Sequence, residues 1–125
     1  MILQTIIGIS KKCGWNVTAR TADDNQTTFE FRRKTRHGVP FCFCADMTAD
    51  NPASLVDEIL SFIDAFQPDT FARKWCELSG VGKNLQARTA ADFDDMRAEA
   101  WLLAAELSDA ISSPNGNTRP WYFWN

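Results

Sequence analysis

The sequence contains a single histidine, His37, so any reaction that needs an imidazole depends on one position. His37 lies between Arg36 and Gly38 in a segment that predicts a turn, where a histidine is usually exposed. A histidine that acts as a general base needs an oriented nucleophile and a supporting carboxylate. No serine or cysteine of the sequence stands in a nucleophile-elbow motif. We therefore expect no catalytic residue and no histidine-dependent chemistry.

The four cysteines offer a second kind of chemistry. Cys42 and Cys44 are two residues apart, which places both side chains on one face of a strand. Cys13 and Cys76 are distant singles, and the paired C-x-x-C spacing of a zinc module is absent. We expect no metal and no other cofactor. Two alternatives stay open: a thiol-dependent enzyme with Cys42 or Cys44 as the nucleophile, and a metal cluster of these two with His37 and one of the single cysteines.

A basic cluster precedes the histidine and could contact nucleic acid. It consists of Arg32, Arg33, Lys34 and Arg36. Nearby phenylalanines resemble the aromatic sheet surface that stacks on single-stranded RNA. Strand alternation, however, places these rings on the face opposite Arg32 and Lys34, so that we expect them to fill the core. The phenylalanines are Phe29, Phe31, Phe41 and Phe43. Nucleic-acid binding through the basic cluster is an alternative hypothesis.

An acidic cluster lies in the second half of the chain. It comprises Asp92, Asp94, Asp95 and Glu99, of which the first, third and fourth share one side of a helix. Residues 1–45 hold seven basic and three acidic side chains, whereas residues 46–125 hold six basic and thirteen acidic ones. The net charge of −3 therefore hides a basic half and an acidic half. The acidic cluster is our predicted surface for a partner protein with a basic surface.

A glycine-rich segment, residues 80–84, stands just before the acidic helix. It departs from the phosphate-binding G-x-x-x-x-G-K-[ST] loop, because Asn84 replaces the Ser or Thr and the two glycines are only two residues apart. It is typical of a helix C-cap followed by a tight turn. Because the segment adjoins the acidic helix, we include Lys83 and Asn84 in the predicted partner-binding surface.

The hydrophobic periodicity predicts one α+β domain with the order α-β-β-β-α-α-α. Apolar residues recur at helical spacing over residues 2–13 and alternate over 15–21, 27–35 and 40–47. Helical spacing returns after Pro52, from Phe71 to about Leu78, and from Thr89 to about Ile111. Thr89 with Asp92 three residues later predicts an N-terminal capping box. Three strands in series predict an antiparallel meander, which the three C-terminal helices would cover on one face.

The chain of 125 residues is long enough for one domain, which we place at residues 1–112. Residues 113–125 form a connector and an aromatic tail, which would fold back over the second sheet face or dock on a partner. The N-terminus lacks the basic region of a signal peptide, and no apolar run reaches the ~20 residues of a membrane span. These features predict a cytoplasmic protein without a membrane partner.

The sequence also resembles a group of small proteins from gut anaerobic bacteria whose genes often lie beside mobile elements. The resemblance covers about residues 27–111 and is carried by short segments: Phe29-Glu30-Phe31, Gly38 with Phe41 and Phe43, residues 51–55, residues 66–69, Trp75, residues 80–84, Asp95-Met96 and Glu106-Leu107. The group has no established activity, so the resemblance implies a genomic setting rather than a reaction.

The combined hypothesis is a non-enzymatic, cytoplasmic protein-interaction module. Its acidic helical face would bind a basic partner, for which a nucleic-acid-handling protein is a natural candidate. The resemblance implies a role as a mobile-element accessory or an anti-defence factor.

Overall fold

The structure is a computed structural model that describes residues 2–22, 25–80 and 85–112. Its first half contains one helix and three strands: α1 (Ile2–Lys12), β1 (Asn16–Thr21), β2 (Gln26–Lys34) and β3 (Pro40–Thr48). Its second half contains three helices: α2 (Ala53–Ala65), α3 (Pro68–Ser79) and α4 (Gln86–Ile111). The predicted α+β class and element order are confirmed.

The three strands form one antiparallel sheet in the order β1-β2-β3. The link between β2 and β3 is a tight turn in which the amide of Gly38 donates to the carbonyl of Thr35 at 2.9 Å. Gly38 has a φ of 84°, a left-handed conformation that glycine adopts without steric cost. This turn places His37 at the tip of the hairpin, beside α4.

One face of the sheet carries the core. The four phenylalanines of β2 and β3 are all buried there, as the alternation predicts. Trp15, just before β1, is 1% exposed, and its ring lies 5.3 Å from that of Phe43. Phe62 of α2 stacks on Phe43 at 4.5 Å, and Phe93 of α4 lies 5.9 Å from Phe41. These ring contacts fix α2 and α4 over a single sheet face.

The helix boundaries differ from the prediction at two places. α3 begins at Pro68, a good first helical residue because its missing N–H needs no partner there. α4 begins at Gln86 and Thr89 lies inside it, so the prediction that Thr89 caps the N-terminus of this helix is wrong. The Thr89 hydroxyl donates instead to the carbonyl of Leu85 at 2.8 Å, within the first turn. Asp92 is thereby left for a tertiary contact.

The second face of the sheet is exposed to solvent in the described part of the chain. Cys42 and Cys44 lie on it and are both exposed, next to Arg32 and Glu30 in the strand register. The tail, residues 113–125, for which the sequence predicts either folding over this face or docking on a partner, lies outside the described residues. Within the described residues, no helix combines the length and the apolar character that crossing a membrane requires.

Candidate protein-interaction site

The four acidic residues of the predicted site do not form one exposed face. Asp92 is 3% exposed, whereas Asp94 and Asp95 are exposed and Glu99 is half-buried. Asp94 lines a cleft between α4 and the corner that joins α2 to α3. Asp95 and Glu99 line a different cavity, of about 300 Å³, between α4 and the end of β2. The shared helix side of Asp92, Asp95 and Glu99 therefore faces the hairpin of the same chain.

The buried Asp92 holds that hairpin on α4. Nδ1 of His37 lies 2.7 Å from Oδ2 of Asp92, and since a carboxylate only accepts, the ring N–H donates. The hydroxyl of Thr35 donates to the same oxygen at 3.4 Å and accepts from the amide of Val39 at 3.1 Å. Asp92 is thus a structural residue, and its predicted place on an exposed partner-binding face is wrong. His37 is exposed as predicted, whereas its carboxylate partner, 55 positions away, is not evident from local sequence.

The basic cluster is likewise divided between two sides of the sheet. Arg33 turns toward α4, where its Nη1 lies 3.2 Å from the carbonyl of Cys13 and 3.5 Å from Oε1 of Glu99. Its guanidinium lies 5.0 Å from the Trp15 ring, a cation–π contact. Arg32 projects from the opposite side, with Nε 3.9 Å from Oε1 of Glu30. Arg32 is thus separated from Arg33, which lies on the other side of the sheet.

Lys34 and Arg36 are exposed, at the end of β2 and in the hairpin turn. Together with Arg33, both line the cavity that also contains Asp95 and Glu99. The basic hairpin and the acidic helix, which the sequence offers as two separate binding surfaces, therefore face each other and partly neutralise each other's charge.

The cleft at Asp94 has a volume of about 760 Å³. Its walls are α4 and the corner around Pro68, which breaks the chain direction after α2. Phe66 anchors this corner, because its ring lies 5.2 Å from that of Phe71 and 6.5 Å from that of Phe93. The corner brings two further exposed carboxylates, Asp64 and Asp69, to the same cleft.

The charge of this cleft is negative. Among the described residues that line it, Asp64, Asp69 and Asp94 face one cation, Arg97, whose Nη2 lies 2.8 Å from Oδ1 of Asp94. Asp69 lies in the first turn of α3, where the helix dipole favours an acidic side chain. Sequence reasoning missed Asp64 and Asp69, because only the corner at Pro68 brings them opposite Asp94. The predicted contacts Lys83 and Asn84 lie outside the described residues.

Two of the thiols, those of Cys13 and Cys44, have raised pKa values. Partial burial raises the pKa of Cys44, and the charge of Glu30 raises it further. Partial burial also raises the pKa of Cys13, to which Glu106 adds. A raised pKa lowers the fraction of reactive thiolate at neutral pH. No group of three or more metal-ligating side chains occurs among the described residues.

We expect iodoacetamide at pH 7 to alkylate Cys42 and Cys44 but to leave Cys76 unmodified in the folded protein. Cys76 is 4% exposed, and its Sγ lies 3.9 Å from the hydroxyl of Thr89. Alkylation of Cys44 should be slower than that of glutathione and should accelerate as the pH rises toward its raised pKa. Peptide mass spectrometry measures each rate. A Cys44 that reacts faster than glutathione at pH 7 would support the thiol-enzyme hypothesis and contradict this prediction.

Comparisons with protein-family models, with curated proteins and with solved structures find no match to this chain.

Proposed function

We propose that this chain is a protein-interaction module that binds a partner with a basic surface. One observation carries the proposal: the described lining of the 760 Å³ cleft between α4 and the Pro68 corner presents three carboxylates and one guanidinium, and that guanidinium is paired with Asp94. The cleft therefore offers acceptors for at least two lysine or arginine side chains. It replaces the broader acidic face that the sequence predicts.

The carboxylates of the cleft favour the binding of cationic side chains. Exposed carboxylates attract cations at long range and orient a protein partner, although each exposed ion pair contributes only about 0.2–1 kcal/mol. Several such pairs in one cleft give a salt-dependent association of moderate strength. A nucleic-acid-handling protein is the partner class that we favour, because its phosphate-binding groove is basic and an acidic surface can occupy it. A role as a mobile-element accessory or anti-defence factor fits a protein that occupies the phosphate-binding groove of its partner.

The proposal predicts which charges a partner recognises. We expect the triple variant Asp64→Asn, Asp69→Asn, Asp94→Asn to recover at least tenfold less of the partner from a native host lysate than the unmodified chain does. The matched control is Asp57→Asn, Glu58→Gln, Glu77→Gln, which removes the same charge from exposed positions that do not line the cleft. Quantitative mass spectrometry of the co-purified proteins at two salt concentrations measures the difference. The partner should be basic and should dissociate as the salt concentration rises.

Two outcomes would contradict the proposal. Equal recovery with the cleft variant and with the unmodified chain would show that the cleft carboxylates do not bind the partner. Equal loss with both triple variants would show that only the net charge matters. Circular dichroism of each variant checks that its fold is retained.

A further inference from the structure

An apolar groove runs along the outer side of the pair formed by α2 and α4. It has a volume of about 240 Å³, and its lining residues include Val56, Leu60, Trp101 and Ala105. Trp101 is 55% exposed and Leu60 is 39% exposed. A half-exposed tryptophan in a groove between two helices is unusual for a free surface, because tryptophan is enriched where proteins meet.

The groove is continuous with the acidic cleft. Trp101 also lines a cavity of about 230 Å³ together with Ile63, Asp94 and Arg97. Asp94 and Arg97 in turn line the acidic cleft. From Asp94 to Ser108, the last groove residue of α4, the helix rises roughly 21 Å. The surface thus changes along one line from negative to apolar.

We propose that this continuous surface binds an amphipathic α-helix of the partner. The basic residues of the bound helix would lie at the end that meets Asp94, and the apolar residues of that helix would pack on Trp101 and Leu60. The inference rests on the proposed function and names the segment that the partner supplies. The rise of roughly 21 Å matches about four turns of a bound helix, which is enough for two basic residues and three or four apolar ones.

The geometry of the two helices favours a helical ligand over an extended one. An extended peptide gains affinity by pairing its backbone with a free sheet edge, whereas the backbone groups of α2 and α4 are used within the helices. A helix satisfies its own backbone and presents only side chains. Along α4, residue 98 of the adjoining cavity and groove residues 101, 105 and 108 follow one another at spacings of three and four, which places them on one face of the helix. Small alanines at 98 and 105 let a third helix approach closely.

The experiment is a selection from a phage-displayed library of random 20-residue peptides on the immobilised full chain, with counter-selection on Trp101→Ala. We expect enriched peptides to carry Leu, Ile, Phe or Met at i, i+3 or i+4, and i+7. Lys or Arg should cluster at one end of each peptide. Apolar residues at i, i+2 and i+4 would indicate an extended ligand and overturn the proposal, as would the absence of enrichment.

Matched variants then test the position of the bound peptide. By fluorescence anisotropy with an enriched, labelled peptide, we expect Trp101→Ala to weaken binding at least tenfold. The control is Leu102→Ala, which removes a side chain that is 51% exposed on the same helix but does not line the groove. It should change binding by less than twofold. Equal effects of the two substitutions would overturn the proposal.

The outcomes separate this inference from the proposed function. Enriched peptides that are basic without an apolar pattern, that bind Trp101→Ala normally and that fail on the Asp64, Asp69 and Asp94 variant would overturn the helix proposal alone. Apolar peptides that bind this charge variant normally, together with a lysate partner that it still captures, would overturn both. Light scattering that shows a dimer lost in Trp101→Ala would assign the groove to a second copy of the chain and also overturn the proposal.

Discussion

Substitution of Asp92 by alanine should lower the free energy of unfolding by about 2–3 kcal/mol, whereas Asp94→Ala should change it by less than about 0.5 kcal/mol. The two aspartates differ in their surroundings. Asp92 is 3% exposed and accepts hydrogen bonds from His37 and Thr35, which would lose their acceptor. Asp94 is exposed and pairs with Arg97 at the surface. Urea denaturation followed by circular dichroism measures both changes.

The same pair of variants should show the opposite order in partner binding. Asp94→Ala removes a cleft carboxylate and should weaken binding, whereas Asp92→Ala, measured well below its melting temperature, should leave it almost unchanged. Asp92→Asn provides the conservative control, because its amide oxygen still accepts from His37, and it should restore part of the lost stability. Equal stability of Asp92→Ala and the unmodified chain would contradict the buried role of Asp92.

The element types were predictable because local periodicity determines them in this chain. Apolar residues alternate in β2 and β3 and recur at helical spacing in α2, so each buried face is visible in the sequence. The start of α4 was not, because a threonine can either cap a helix or bond back to a carbonyl within it. For Thr89, the hydrogen bond to the carbonyl of Leu85 shows that the hydroxyl bonds back within the helix and does not cap it.

The candidate site was predictable only in part, for a reason of distance along the chain. Helical spacing shows that Asp92, Asp95 and Glu99 share a side, but what that side faces depends on residues far away in sequence. His37 and Asp92 are 55 positions apart, and Arg33 and Glu99 are 66 apart. Opposite charges in the two halves indicated an attraction, which the sequence alone assigns equally well to a partner or to the chain itself. In the structure, the contacts of Arg33 with Glu99 and of His37 with Asp92 lie within the chain itself.

Asp64 and Asp69 illustrate a second limit. Each has an ordinary local explanation, since one follows the apolar stripe of α2 and the other lies at the start of α3. They join Asp94 in one cleft because the chain turns between Phe66 and Pro68. The direction of such a turn follows from the packing of the Phe66 ring against α3 and α4, which no periodicity encodes.

Substitution of Phe93 by alanine should produce the largest loss of stability that we expect, about 4 kcal/mol. Phe93 is fully buried, and its ring contacts Phe71 at 4.9 Å, Phe41 at 5.9 Å and Phe66 at 6.5 Å. The ring therefore joins α4 to β3, α3 and the corner after α2. Its removal leaves a cavity at the point where these elements meet, and chemical denaturation measures the loss.

Because Phe93 precedes Asp94, this variant also tests how the cleft is positioned. Phe93→Leu keeps most of the apolar volume and should cost only about 1 kcal/mol. Phe71→Ala should cost less than Phe93→Ala, since Phe71 is 41% exposed. In the double variant of Phe71 and Phe93, the losses should not add, because the two rings share one contact. If the two losses of stability added strictly, the rings of Phe71 and Phe93 would not pack together. The corner that carries Asp64 and Asp69 would then lack this support against α4.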